Sequence, residues 1–230
     1  PLRPAVLVAG AAALAAVGLL ALGAAATLAA LADKAGGLSA ADWRAAGFTV
    51  RQASLSALIS VAAAVPVARA LSRRRFAGRA TLIRAMGAPF LLPAVVAILG
   101  VTAVWGRAGW VSDGLSVAGL PRLDIYGMPG VLIAHVFFNL PLAVRLILQA
   151  YEDAPPERWR LAAQLGAEGW ALFRLVEGPA LARAVPGALA VVFAVCAASF
   201  AVALALGGGP RATTLELAIY EAALFEADLG

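Results

Sequence analysis

Ile125-Tyr-Gly-Met-Pro-Gly-Val-Leu-Ile-Ala-His-Val-Phe-Phe-Asn-Leu-Pro-Leu-Ala-Val144 is a run of 20 residues with no charged side chain, His135 being neutral. A helix needs about 20 apolar residues to cross the hydrocarbon core of a bilayer. The stretch therefore reads as a membrane span, and the rest of the chain follows the same rule. Further uncharged runs cover residues 4–32, 52–68, 85–106 and 184–210. The 52–68 run is the shortest and is expected to extend over 48–71, with Arg51 and Arg69 reaching to the interfaces. Five spans follow. The first run is too long for the roughly 7–15-residue apolar core of a signal peptide, and no tidy cleavage site closes it.

Composition agrees. Of 230 residues, 63% are apolar, against about 45–50% in ordinary soluble proteins. A soluble fold of this size cannot hide that much apolar surface. One Cys excludes a disulfide within the chain, and one Cys with one His excludes a Cys/His zinc site. The single Lys, Lys34, is followed by Ala35, so there is no Gly-x4-Gly-Lys-Ser/Thr phosphate loop. No span carries a carboxylate, which weakens a proton-coupled carrier as an alternative. No Ser/His/Asp set or carboxylate pair lies on a span face, which argues against an intramembrane enzyme. No catalytic residue and no metal ligand is assigned.

Pro66, Pro89, Pro93, Pro141 and Pro186 lie inside the spans. Neighbouring helices can satisfy the backbone groups that a proline frees in a membrane bundle, so kinked, packed helices are expected. Small residues between them, at 57–64 and 188–203, would let helices approach closely.

Charge sets the orientation. Arg3, Arg69, Arg73, Arg74, Arg75, Arg79, Arg84, Arg145, Arg158, Arg160, Arg174 and Arg183 fall on one side of a five-span arrangement. Lys34, Arg44, Arg51, Arg107, Arg122 and Arg211 fall on the other. The richer side is cytoplasmic, and the N-terminus with it. Arg73-Arg74-Arg75 reads as this topology signal. Nucleic-acid binding would need groove-reading or aromatic elements beside it, and the sequence has none there. Trp43, Trp105, Trp110 and Tyr126 fit an interfacial aromatic belt. Gly207-Gly-Gly-Pro210 reads as a turn, with a short external helix over 213–223.

The loop at 151–183 reads as two short helices. Asp153 is the expected N-cap, with Pro155 and Pro156 in the first turn and Glu157 at the positive end of the dipole. Trp159, Ala162 and Leu165 form an apolar face with Leu161 beside it, and Gly166 ends or bends the helix. The second helix carries Trp170, Phe173 and Val176 and is expected to end near Gly178-Pro179. Physics alone leaves two readings open: a hairpin lying on the membrane, or one inserted into a groove on a cytoplasmic partner.

The loop resembles the coupling motif of ABC importer permeases, Glu-Ala-Ala-x3-Gly-x9-Ile-x-Leu-Pro. Here it runs Arg160-Leu161-Ala162-x3-Gly166-x9-Val176-x-Gly178-Pro179. Ala162, Gly166 and Pro179 match, and Val176 is conservative. Arg160, Leu161 and Gly178 depart, and the missing Glu puts any salt bridge from that position in doubt. The flanks add Ala68-Arg-Ala-Leu-Ser-Arg-Arg-Arg-Phe-Ala-Gly-Arg79, Ala134-His-Val-Phe-Phe-Asn-Leu-Pro141, Ala198-Ser-Phe200 and Leu206-Gly-Gly-Gly-Pro-Arg-Ala-Thr-Thr-Leu-Glu-Leu-Ala-Ile-Tyr220. Together these resemble the thiamine ABC transporter permeases over most of the chain from residue 50 on. Permeases for sulfate, molybdate, iron(III) or polyamines share the plan.

The resemblance implies an all-α integral membrane protein of the bacterial inner membrane. It implies a six-helix permease half, of which five spans are expected here. Residues 1–47 would hold the first span and an external loop, and residues 48–230 the permease core. The sixth helix and a second, fused half are expected in a longer protein, and a natural stop codon directly after Gly230 would contradict this. The family's partners are cytoplasmic ATP-binding subunits and a periplasmic binding protein. No cofactor is expected on this chain, since ATP would bind the partner subunits. Trp159, Ala162, Ala163, Leu165, Gly166, Val176 and Pro179 are the candidate coupling residues.

His135 and Asn139, four apart on one helix face, and Ser199 are the candidate polar lining of a pathway. For His135 and Asn139 the competing reading, which we favour, is hydrogen bonding between helices beside Pro141. Cys196 and Ser199 read as small packing residues.

Overall fold

The computed structural model describes residues 39–225 apart from 208, 210 and 211. The predicted first span at 4–32 lies outside the described residues. All regular structure among the described residues is helical.

Helix α1 (Ala40–Arg73) opens with a reciprocal cap: Ser39 N–H donates to Asp42 Oδ2 at 2.7 Å, and Asp42 N–H donates to Ser39 Oγ at 3.2 Å. Along it, Ala53, Ala57, Val61, Ala64, Ala68 and Leu71 bury one stripe. That stripe packs on Ala143, Val144 and Ile147 of α5 (Met128–Glu152) and on Ala180, Ala188 and Val192 of α8 (Gly178–Ala197). Lipid tails are as apolar as leucine, so helices gain here by close van der Waals packing, for which alanine is suited.

The predicted run at 85–106 is not one helix. It is divided among α2 (Arg79–Ala85), a 3-10 turn (Ala88–Phe90) and α3 (Ala94–Trp105). Pro93, at φ −54° and ψ 135°, sets the start of α3. A proline lacks the N–H a helix interior needs and drives the residue before it toward extended backbone. Twelve residues rise only about 18 Å, and the apolar length is completed by α4 (Trp110–Val117) after a break.

The run at 125–144 becomes α5, eight residues longer at its C-terminal end, with Arg145, Gln149 and Glu152 exposed there. The run at 184–210 is also interrupted. α8 begins earlier, at Gly178, and stops at Ala197. A break at Ala198–Ser199 follows, then α9 (Phe200–Leu206). α10 (Leu215–Phe225) forms where a short helix is expected. Its first amide, Leu215 N–H, donates to Thr49 Oγ1 of α1 at 2.8 Å, and Phe200 packs edge-on against Tyr220. Among the described residues, four helical segments are long and apolar enough to cross a membrane: Ala40–Arg73, Ala94–Val117, Met128–Glu152 and Gly169–Ala197. The chain is a multi-pass membrane protein.

Ion pairs tie the loop at the far end of α3. Arg107 reaches Asp124 at 2.6 Å, holding that carboxyl below the usual carboxylate range, and Arg122 reaches Asp113 at 3.2 Å. Fully buried Ser112 sits between these pairs. It donates to Gly106 O at 2.6 Å and accepts from Leu123 N–H at 3.2 Å. Ser112→Ala leaves the part-buried Leu123 N–H without its acceptor and removes one of the two bonds to Gly106 O, which still accepts from Gly109 N–H, a loss of about 1 kcal/mol. A lower Tm of the purified protein is expected, and an unchanged Tm would show that water replaces the hydroxyl.

Candidate coupling site

The 151–183 loop folds as α6 (Pro156–Gln164), α7 (Gly169–Leu172) and a π-helical turn (Phe173–Glu177). Three expectations change. Asp153 does not cap α6; it closes α5, its N–H donating to Gln149 O at 2.8 Å. Pro155 takes the N-cap position at φ −51° and ψ 128°, because Pro156 after it excludes helical backbone there. The second helix does not end near Gly178-Pro179. It widens into the π turn and runs into α8, with Pro179 in the first turn, where no helical N–H is required.

Gly166 ends α6 as expected. Its φ is +61°, its N–H donates to Ala163 O at 3.1 Å, and Ala167 N–H donates to Ala162 O at 2.9 Å. This is the Schellman arrangement, which leaves two fewer terminal carbonyls unpaired. Gly178 has a different cause. A Cβ there would stand 3.1 Å from Phe173 O, the carbonyl that accepts the wide-turn bond from Gly178 N–H. A side chain there, such as the leucine of the family pattern, would require that carbonyl to give by a few tenths of an ångström.

The seven coupling candidates divide by exposure. Ala162 and Val176 are buried and hold the hairpin to the bundle. Trp159 and Pro179 are half-buried, while Ala163, Leu165 and Gly166 are exposed. Leu165 at 66% and Trp170 at 73% are unusually open for such side chains, and Trp170 stacks on Phe173 with ring centroids 5.0 Å apart. An open groove of about 720 Å³ runs alongside, lined by Ser72, Arg73, Tyr151, Trp159, Arg160 and Ala163. An apolar ridge beside a groove on a short helical hairpin is a shape that another protein can grip.

Sequence reading missed Glu177. It is 1% exposed and held by two arginines one turn apart on α1. Arg69 Nε donates to Oε2 at 2.9 Å, and Arg73 Nε stands 2.7 Å from Oε1. The available signal was a carboxylate at the mouth of an apolar span, facing basic residues spaced by four. Arg79 joins the same end. Its Nε donates to Leu71 O at 2.7 Å, and its Nη2 reaches Glu152 at 3.2 Å.

His135 and Asn139 come together, buried between α1, α5 and α8. His135 Nδ1 and Ser56 Oγ share a hydrogen bond at 3.0 Å. Asn139 Nδ2 donates to His135 O at 2.9 Å and to Cys196 Sγ at 3.3 Å. Gln52 Nε2 donates to Cys196 O at 2.9 Å. Ser199 does not join this network among the described residues. It forms the break between α8 and α9, half-buried, at φ −105° and ψ 70°.

No family model matches the chain. Among curated proteins it is 52% identical over 188 residues to the thiamine transport system permease protein ThiP of Brucella abortus (strain 2308), covering 81% of this chain and 35% of that protein. To the ThiP protein of Escherichia coli (strain K12) it is 50% identical over 187 residues, with the same coverage. The sulfate transport system permease protein CysW of Synechocystis is 32% identical over 131 residues, which is 57% of this chain and 47% of that one. The chain thus spans about a third of the length of the thiamine permeases it matches. Among solved structures, a bacterial ABC transporter that imports the polysaccharide alginate superposes with a TM-score of 0.68 at 17% identity, covering 83% of this chain and 71% of that one. A bacterial alginate ABC transporter in complex with alginate pentasaccharide-bound periplasmic protein gives a TM-score of 0.70 at 18% identity, covering 83% of this chain and 70% of that one. The fold is that of the ABC transporter chains it superposes on, and by sequence the chain is similar to the thiamine transport permeases over four-fifths of its own length.

Proposed function

We propose that the chain forms part of the translocation path of an ATP-driven thiamine importer in the bacterial inner membrane. The observation that carries this reading is 50–52% identity to thiamine permeases over four-fifths of the chain, on a matching fold. In this reading residues 4–32 supply a fifth span and the N-terminus is cytoplasmic. The excess of arginine on the side of the 151–183 loop supports that orientation. The hairpin docks on cytoplasmic ATP-binding subunits, which bind and hydrolyse the ATP, so this chain needs no cofactor. A periplasmic binding protein delivers thiamine. A second permease half, expected in the same polypeptide, completes the path.

Leu165, Ala163 and Gly166 face the ATP-binding partner, with Trp159 at the edge of the groove. Ala162, Val176 and Pro179 brace the hairpin. Closure of the ATPase pair drives the hairpin against the spans, and transport follows because the contacts differ between inward- and outward-open states. His135 and Asn139 lock helices together, which their hydrogen bonds to α1 and α8 support. Ser199, at the break, remains the candidate for polar lining.

The sulfate-permease similarity supports a second reading, in which the same machinery carries another small solute. Uptake of labelled thiamine at low concentration separates the two. Deleting the full-length gene should abolish uptake, and restoring it should recover it. Undiminished uptake in a strain with no other thiamine importer would move the substrate to another solute.

A further inference from the structure

We infer that Glu177, gripped by Arg69 and Arg73, is the positioning residue through which movement of the hairpin reaches α1. The inference rests on the coupling reading above. α6 and α7 are joined by the chain to α5 and α8, and any push on them passes to those two helices through the backbone. α1 has no such link. Its connection to the hairpin runs through space, and the Glu177 cluster supplies it at the point where the loop becomes α8.

The geometry suits a brace better than a pivot. One hydrogen bond lets two helices rotate about it. Here Arg69 donates a hydrogen bond to one carboxylate oxygen, Arg73 pairs by charge with the other at 2.7 Å, and the two arginines lie one helical turn apart. Sliding or rotation of α8 against α1 would break one contact or the other. The π turn is part of the device. It places Val176 and Glu177, consecutive residues, both in the interior, and π turns of this kind cluster at functional sites. Tyr151, buried at the end of α5, belongs to the same apolar cluster as Leu71 of α1 and Ala180 of α8. α1, α5 and α8 thus meet at this point. Stability alone does not call for such an arrangement, because a well-packed apolar group commonly does as well as a buried ion pair. What the ions add is a fixed register between the loop and α1. Glu177 fills the variable position of the coupling pattern, between Val176 and Gly178, so the pattern itself does not require it.

The test uses the complete transporter, with its ATP-binding subunits and binding protein, in liposomes. Glu177→Gln, Glu177→Asp and the neutral triple Arg69→Gln/Arg73→Gln/Glu177→Gln are compared with wild type. Three quantities are read: assembled complex, basal ATP hydrolysis, and thiamine moved per ATP hydrolysed. Glu177→Gln keeps the side-chain shape, and the arginines it releases are partly exposed, so assembly and basal hydrolysis should stay near wild type. Thiamine moved per ATP should fall about tenfold or more, within the usual range of coupling energies. The triple should behave like Glu177→Gln, and Glu177→Asp should restore part of the coupling. Transport per ATP within about twofold of wild type in Glu177→Gln would overturn the inference. So would a loss of transport that only follows a loss of assembled complex, in Glu177→Gln and the triple alike. A wild-type complex that moves no thiamine would overturn the functional reading, and the inference with it. A wild type that transports while Glu177→Gln transports equally well would overturn the inference alone.

Discussion

Gly166→Leu is expected to reduce thiamine uptake to background while the protein still accumulates in the membrane. Beyond its chain neighbours, a Cβ at Gly166 would meet no atom among the described residues within 4 Å, so the cause is not a clash with them. It is partly backbone. At φ +61°, a residue with a side chain is disfavoured by roughly 1–2 kcal/mol. Relaxing that strain would give up the bonds from Gly166 N–H to Ala163 O and from Ala167 N–H to Ala162 O. A nine-residue helix is marginal without its cap and its packing. The other part is space. The open side of Gly166 adjoins exposed Leu165 and Ala163, where an ATP-binding subunit is proposed to sit, and a leucine would stand in that contact. Gly166→Asn separates the two causes, because asparagine tolerates left-handed backbone better than other residues with a side chain. It should retain more activity than Gly166→Leu. Uptake of labelled thiamine, normalised to the amount of protein in the membrane, decides the matter, and wild-type uptake by Gly166→Leu would remove Gly166 from the coupling site.

The sequence located the described spans better than it located their ends. An uncharged run marks the part of a helix inside hydrocarbon. The helix itself continues wherever its backbone bonds are met, as α5 does through Arg145 to Glu152. The interruption before α3 was readable in principle, since Pro93 lies inside the run and a helix cannot pass it without losing a bond. The interruption at Ala198–Ser199 was not. No proline or glycine stands there, and the residues on either side, Ala197 and Phe200, are both apolar. In the 151–183 loop the motif spacing led to Gly166, which ends α6, and to buried Ala162 and Val176. The capping rule failed at Asp153 because two consecutive prolines override a side-chain cap. Glu177 escaped because its partners lie 108 and 104 residues away on α1, and no local pattern joins them.

Gln52→Leu is expected to lower the Tm of the purified transporter, and Ser60→Ala to leave it unchanged. Both residues are buried on α1, two turns apart, and a rule based on burial alone would treat them alike. Their hydrogen bonds differ. Ala198 N–H still donates to Ala194 O at 3.1 Å, and the next helical bond after the break runs from Ala203 to Ser199. The Cys196 carbonyl lies between, and Gln52 Nε2 supplies its donor at 2.9 Å. Leucine is close to glutamine in size and would fill the site, but it would leave that carbonyl unpaired in an apolar interior. The loss is about 1–3 kcal/mol by general estimates for an orphaned buried group. Measured hydrogen bonds between membrane helices, which average ~0.6 and reach ~1.7 kcal/mol, favour the lower part of that range. Ser60 Oγ has no partner among the described residues, so removing it breaks nothing. If Ser60→Ala lowered the Tm and Gln52→Leu did not, the α8–α9 break would have to be held by something other than α1. Loss of stability in Gln52→Leu accompanied by slower uptake would mean that a fixed bend near Ser199, as well as the docking hairpin, is needed for transport.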